Sequence, residues 1–497
     1  EFDIVIGNPP YLKERDNATF FNPVNNSEFG NKWHQGKMDF WFYFLHKAID
    51  LSSGEICFIT SRYWLNSQGA KKLVNRVKEN LSFINVVDIG KLSVFDAVAG
   101  HHMVSHFSKN EKNQFTYLKI EEDVSSIENW TENNKINISK LYNSEVFSES
   151  GEIILAKDIF SHLEGTEQLG EFYEVSQGVV EASDKISSRQ LRSSTLSSFN
   201  VGQGIFVLSE KELNELNLNK AESKIIKPYV DPNDVYKYSI SIKERKFIIY
   251  SDRNAKDLIE HDSNFSNLKG HLAKLSPFIT SSNKPYGLHR PRKKKYFENP
   301  KIIFKGMFVS PEFEYDDQRF YFGFSFSSII QKNSDCSLKY LLALLNSSFA
   351  QKWFNTHGKQ RGAGVDIGVE KLRLFPVKKA NSGIQIFVAI LVDFARLYKQ
   401  VHLKGSKTIE NTIDAIVFNL YFPGHMKEQE IDVLEFVERN MQKVLQGREF
   451  DNLDDAGKEK VIEQLHTIWS DPKNEVVKRI AQFKKKSPEI LKPILES

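Results

Sequence analysis

Asn8-Pro9-Pro10-Tyr11 sets an amide, two rigid imino acids and a phenol side by side. Asn8 offers a side-chain oxygen, Pro9 a backbone carbonyl held in a stiff segment, and Tyr11 a flat aromatic face. Two acceptors aimed at the two N–H bonds of a poorly nucleophilic amine favour a pyramidal nitrogen. They also stabilise the positive charge that develops as that nitrogen attacks. Before this loop the run Phe2-Asp3-Ile4-Val5-Ile6 reads as a β-strand, closed by Gly7. The carboxyl end of such a strand is where α/β enzymes present reactive loops. A proline-rich turn closing a buried strand would also use Pro-Pro. A chance Asn-Pro-Pro-Tyr in such a chain is, however, on the order of one in a thousand.

The string resembles the catalytic motif of the amino-group DNA methyltransferases, most closely those that make N6-methyladenine. The resemblance implies that Asn8 Oδ1 and the Pro9 carbonyl hold the adenine amine while Pro9 and Pro10 stiffen the loop. Tyr11 would stack on a base taken out of the duplex, as base-modifying enzymes require. Relatives also use aspartate at the Asn8 position, so Asn8 favours adenine only mildly.

The elements that must position this loop follow it. Met38 to Ile49 is apolar nearly all round, as in a buried helix. Gly54 to Thr60 reads as a buried strand, Gln68 to Asn80 as an amphipathic helix, and Asn85 to Ile89 and His102 to Phe107 as two further strands. This alternation predicts a parallel, doubly wound α/β sheet. The order resembles the second half of a TaqI-like, Rossmann-like adenine methyltransferase domain from Phe2 to Phe107. By that resemblance Asn8 and Phe44 contact the methyl donor, S-adenosyl-L-methionine, and Phe95 faces Tyr11 across the flipped adenine. Taken alone, Phe95 also fits a core aromatic at a strand edge.

One departure from the family pattern matters. The Gly-rich loop and acidic ribose contact that hold the cofactor lie before the Asn-Pro-Pro-Tyr strand in this class, and only Glu1 precedes that strand here. Gly202-Gln203-Gly204 and Gly362-Ala363-Gly364 lack the strand–loop–helix setting. The cofactor-binding half is therefore expected upstream in the same polypeptide or on another chain. Without it, Phe2 to Ile6 would be an unpaired apolar edge.

The 497 residues suggest about three domains. Lys and Arg total 67 against 64 Asp and Glu, so net charge does not announce nucleic acid. Two cysteines, Cys57 and Cys336, are too few for a disulfide framework or a cysteine zinc site. Composition agrees with a cytoplasmic enzyme, and the apolar run from Ile384 stops at Asp393, too short for a membrane span. The expected organisation is a methyltransferase half at 1–110 and an irregular connector at 111–150. A mixed α+β target-recognition domain then spans 151–380, and a helical region 384–497.

The middle segment resembles the TaqI-like C-terminal specificity domain. The matching pieces include Ser176-Gln177-Gly178-Val179-Val180, Lys227-Pro228-Tyr229-Val230, His289-Arg290-Pro291-Arg292 and Leu374-Phe375-Pro376-Val377. Two basic runs lie within it. Lys284, His289, Arg290, Arg292, Lys293, Lys294 and Lys295 form one, with Tyr286 and Tyr296 interleaved; Lys352, His357, Lys359 and Arg361 form the other. An isolated charge run is usually a solvated face. Two inside such a resemblance point to double-stranded DNA, with most cations on phosphates and a few on base edges.

His101, His102 and His106 invite a metal reading, but no carboxylate or cysteine lies close in sequence, so satisfied or exposed histidines are expected. No convincing nuclease constellation is present; if the protein cuts DNA, that domain lies outside these residues. The reading is an adenine-N6 DNA methyltransferase of the type IIG restriction-modification or phage-defence kind. The alternative is a DNA-binding specificity module with a non-catalytic methylase half. RNA or protein-glutamine methylation shares the loop but not the long recognition domain.

Overall fold

The computed structural model describes residues 1–90, 92, 101–120, 136–147, 151, 153, 155, 159–160, 163–192, 199–332, 336–361, 364–401 and 407–497. The chain is a mixed α/β protein of two compact units, Glu1–His162 with Thr356–Gln360, and Leu163–Asn355 with Arg361–Ser497.

The first unit is built on a six-stranded sheet. Its strands are β1 (Phe2–Gly7), β2 (Ser52–Ser61), β3 (Ser82–Gly90), β4 (His102–Ser108), β5 (Gln114–Ile120) and β6 (Ile136–Tyr142), in the spatial order β1-β2-β4-β3-β5-β6. β1 with β2 and β3 with β5 are parallel; the other pairs are antiparallel. The sheet is therefore mixed rather than all-parallel as expected. Only residues 91–101 join β3 to β4, fewer than a parallel crossover needs, so β4 returns antiparallel beside β3. The expected connector at 111–150 also differs, because it contributes β5 and β6. Phe115 and Tyr117 alternate inward on β5, a short period-two signal diluted by the polar residues around it.

Helices α1 (Trp41–Leu51) and α2 (Lys71–Asn80) cover one face of the sheet. Seven residues of α1 are buried, including Trp41 and Phe42, which pack edge to face. Full burial of each such ring contributes about 1.5–3 kcal/mol. That core also takes Ile56 and Phe58 of β2, Val86 of β3 and Met103 and Phe107 of β4. A smaller cluster of Ile89, Leu92 and Ile120 lies apart from it, with Ile59, Val87 and Val104 packed on it. Among the described residues β1 is an edge strand bonded to β2 alone. Val5 packs on the main core, whereas Phe2, Ile4 and Ile6 point the other way and are 58%, 60% and 78% exposed.

The second unit contains a four-stranded antiparallel sheet in the order Phe313–Asp316, Lys301–Lys305, Phe326–Gln331, Tyr173–Gln177. A three-stranded antiparallel sheet comprises Ile226–Tyr229, Lys246–Ile249 and Val207–Ser209. The strand Phe326–Gln331 begins after a turn in which Phe326 N donates to Gly323 O at 3.0 Å. Two consecutive helices follow, Leu338–Leu345 and Ser348–His357. The Asn346 amide leaves the helix to bond both Phe313 N and Phe313 O, and the Ser347 hydroxyl caps Ala350 N. Arg396, on the helix Ser382–Val401, reaches Glu314 at 2.8 Å and so fastens the C-terminal helices to the sheet. Among the described residues no helix is long and apolar enough to cross a membrane.

Candidate active site

The loop that follows β1 is held from several sides. Gly7 lies opposite Phe58 in the β1–β2 register, and a Cβ there would fall 2.6 Å from the Phe58 ring. A side chain at position 7 would clash with that ring unless Phe58 or the strand shifted. Pro9 and Pro10 have no N–H for the ladder, so the strand ends at Gly7. Pro9 is buried and Asn8 and Pro10 are exposed at the strand's carboxyl end. The Tyr11 hydroxyl lies 3.0 Å from Ile59 O and 3.2 Å from Asn8 Oδ1, with its ring 5.5 Å from the buried His102 ring. Burial raises the Tyr11 pKa, so the phenol stays protonated and acts as a donor.

Downstream the loop is tied to the segment that enters α1. Phe40 N donates to Leu12 O at 2.8 Å, and Glu14 N to Met38 O at 3.1 Å. The Glu14 carboxylate accepts from Lys37 N at 2.8 Å and from His34 Nε2 at 2.6 Å. Burial opposes ionisation of Glu14, but these hydrogen bonds outweigh it and hold its carboxyl below the usual range. Lys37 takes a left-handed φ of 68° within this clamp. Glu14 did not stand out in the sequence, and His102 did so only within the histidine cluster, since the partners of both come from distant segments. Phe44 is the exposed aromatic ring of α1, whose Trp41, Phe42 and Tyr43 are buried; it is 43% exposed and 6.0 Å from Phe40. Phe95 lies outside the described residues.

His106 is a satisfied histidine, as expected, although its partner is a carboxylate that the sequence did not place near it. The β2–β4 register sets Cys57 opposite His106 and brings Glu55 Oε2 to 2.9 Å from His106 Nε2, so a carboxylate is close after all. Among the described residues, no group of three or more such ligands could hold a metal.

The recognition candidates divide by their partners. Lys284, Arg290, Lys293 and Lys294 are exposed, and His289 meets Ser282 Oγ at 3.1 Å. Lys294 Nζ is 3.7 Å from Asp252. Lys295 is ion-paired to Glu174 at 2.6 Å, which Tyr296 also bonds, and Arg292 donates to Gly178 O and Gln177 Oε1. The second run is split: His357 and Lys359 belong to the first unit, Lys352 and Arg361 to the second. Arg361 pairs with Asp366 at 2.7 Å.

Residues 1–95 match the Eco57I restriction-modification methylase family, and residues 227–377 the TaqI-like C-terminal specificity domain. The Type II methyltransferase M.HindII of Haemophilus influenzae is 21% identical over 482 residues, spanning 89% of this chain and 83% of that one. The solved structure of the Type IIL restriction-modification enzyme MmeI in complex with DNA aligns with a TM-score of 0.54 at 9% identity. It takes in 98% of this chain, which spans 57% of that one, and it shows a shared fold. The chain thus carries an Eco57I-type restriction-modification methylase match followed by a TaqI-like specificity-domain match, and is similar along most of its length to a Type II methyltransferase.

Proposed function

We propose that the protein transfers a methyl group from S-adenosyl-L-methionine to the N6 amine of an adenine flipped out of double-stranded DNA at a specific sequence. The observation that carries this reading is the Asn8 amide and Pro9 carbonyl held at the end of β1 beside the Tyr11 ring. Asn8 Oδ1 and the Pro9 carbonyl accept the two amino hydrogens, draw electron density onto the nitrogen and stabilise its developing charge. Tyr11 carries the base on its face. Pro10 and the Glu14 clamp keep the acceptors from swinging away.

The cofactor supplies the electrophilic methyl group. Phe44 fits an adenine-like ring, being an aromatic side chain left exposed on a helix whose other aromatic rings are buried. The glycine-rich and acidic contacts are proposed to come from a further segment seated against the β1 edge. The exposed Phe2, Ile4 and Ile6 support such an occupant. In the specificity domain Arg290, Lys293 and Lys294, with Lys284 and His289, are the proposed DNA contacts. The exposed Lys359 and Arg361 of the second run are weaker candidates, Arg361 being already paired to Asp366.

The test is transfer of labelled methyl from S-adenosyl-L-methionine to duplex DNA by the complete protein, followed by nucleoside analysis. N6-methyladenine is expected; label in cytosine, RNA or protein overturns the assignment. Sequence-selective binding without any transfer supports the specificity-module reading instead.

A further inference from the structure

The three segments that meet around Gln177 form one unit. Gly178 N donates to Phe326 O at 2.9 Å and Val179 N to Phe322 O at 3.0 Å. Val180 and Arg290 exchange both backbone hydrogen bonds at 3.0 Å. Gly178 permits this approach, because a Cβ there would lie 2.3 Å from Gly323 O.

On this frame the Gln177 side chain is fastened at both ends. Its Nε2 donates to Phe324 O at 2.8 Å and its Oε1 accepts from Arg292 Nη2 at 3.2 Å. Arg292 Nε donates to Gly178 O at 3.2 Å. Nε and Nη2 make up one edge of the planar guanidinium, so that whole edge is anchored to protein. The opposite edge, Nη1 with the outer Nη2 hydrogen, keeps the fork geometry that pairs with O6 and N7 of guanine. Among the described residues no carboxylate pairs with Arg292. Its backbone is held at φ 65°, a conformation uncommon outside glycine and found where surrounding structure imposes it. Phe324, on the turn that Gln177 holds, is 59% exposed beside it.

We infer that Arg292 is a preset guanine-reading side chain in the major groove and that Gln177 is the residue that aims it. This rests on the proposed function, since it presupposes sequence-selective DNA binding. Arg290, one bridge away and without such bracing, then serves the phosphate backbone.

The experiment is selection from a randomised duplex library by the purified protein, comparing wild type with Arg292→Lys, Gln177→Leu and Arg290→Lys. Arg292→Lys keeps the charge and loses the fork. It should abolish preference at one guanine, with discrimination falling roughly 5- to 150-fold there, while the salt dependence of binding is kept. Gln177→Leu should weaken preference at that same position and no other, a pattern that general loosening would not produce. Arg290→Lys should leave the preference intact. If the wild type selects no sequence, the proposed function itself fails and the inference with it. If the wild type is selective and both Arg292→Lys and Gln177→Leu keep every preference, the inference alone is overturned.

Discussion

The Tyr11 hydroxyl and the Asn8 side-chain oxygen lie 3.2 Å apart, in a hydrogen bond that joins the proposed base platform to the proposed amine acceptor. A phenol has one proton, and Ile59 O competes for it at 3.0 Å. Asn8 Oδ1 therefore retains acceptor capacity for an incoming amine, while the bond orients the amide with its oxygen toward the ring. In the proposed reaction the two groups that the base would meet together are aligned beforehand, which would remove reorganisation from the reaction step.

Asn8→Ala should bind duplex DNA like the wild type and lose methyl transfer. Losing one preorganised acceptor of this kind costs about a hundred- to a thousand-fold in rate. Single-turnover methylation at saturating DNA measures this; a near wild-type rate removes Asn8 from the chemistry.

Tyr11 separates stacking from hydrogen bonding. Tyr11→Phe keeps the aromatic face, so 2-aminopurine at the target adenine should still brighten on binding. Tyr11→Ala should lose that stabilisation, worth about 1–3 kcal/mol by analogy with other base–aromatic contacts. Equal fluorescence for the alanine and phenylalanine variants would show that the base does not rest on this ring.

The strands and helices that carry the active-site loop were legible because each combines a hydrophobic period with a terminator. β1 ends at Gly7 before two prolines, and α1 is a run in which Phe44, Lys47 and Asp50 alone interrupt burial between Trp41 and Asp50. What the sequence hid is mostly register. His106 and Glu55 are 51 positions apart and meet only because β4 inserts beside β2. Glu14 looks like a surface acid until Lys37 N and His34 converge on it. β5 and β6 were missed because their inward residues are few and flanked by Asn, Ser and Glu. In the basic run the spacing identified cations but could not tell Lys295, paired to Glu174, from the exposed Lys293 beside it.

Glu181 gives a pH test of the second unit. Burial pushes its carboxyl up to about 7, with Asp184 adding repulsion, and the Tyr229 hydroxyl lies 3.4 Å away. Glu181 Oε1 and the Tyr229 hydroxyl both sit against Gly323, where a Cβ would meet each at 2.8 Å. An unfolded glutamate ionises near 4.3, so between about pH 4 and 7 the folded state keeps a proton that the unfolded state gives up. The stability contributed by this group is fully present below about pH 4, falls as pH rises and levels off above about 7. The total loss is up to about 4 kcal/mol. Glu181→Gln removes the titration, so its stability relative to wild type should rise by up to that amount from pH 4.5 to 8. Urea melts at several pH values measure the difference; parallel profiles would mean that Glu181 is already ionised at low pH.

The lysines of the basic run should separate by their partners. Lys293 is exposed and Lys294 stands 3.7 Å from Asp252, whereas Lys295 already holds Glu174 at 2.6 Å. A cation on a DNA phosphate releases counterions and adds about 0.9 to the slope of log affinity against log salt. Replacing Lys293 and Lys294 together by alanine should flatten that slope by up to about two units and weaken cognate and scrambled duplexes alike. Lys295→Ala should leave the slope nearly unchanged, because its charge is spent on Glu174 and on the Tyr296 contact beside it. Titrations of both duplexes between about 50 and 200 mM salt distinguish the cases. A slope unmoved by the double substitution would make the run a solvated face, and the DNA contacts would have to be sought around Arg290 and Lys284 instead.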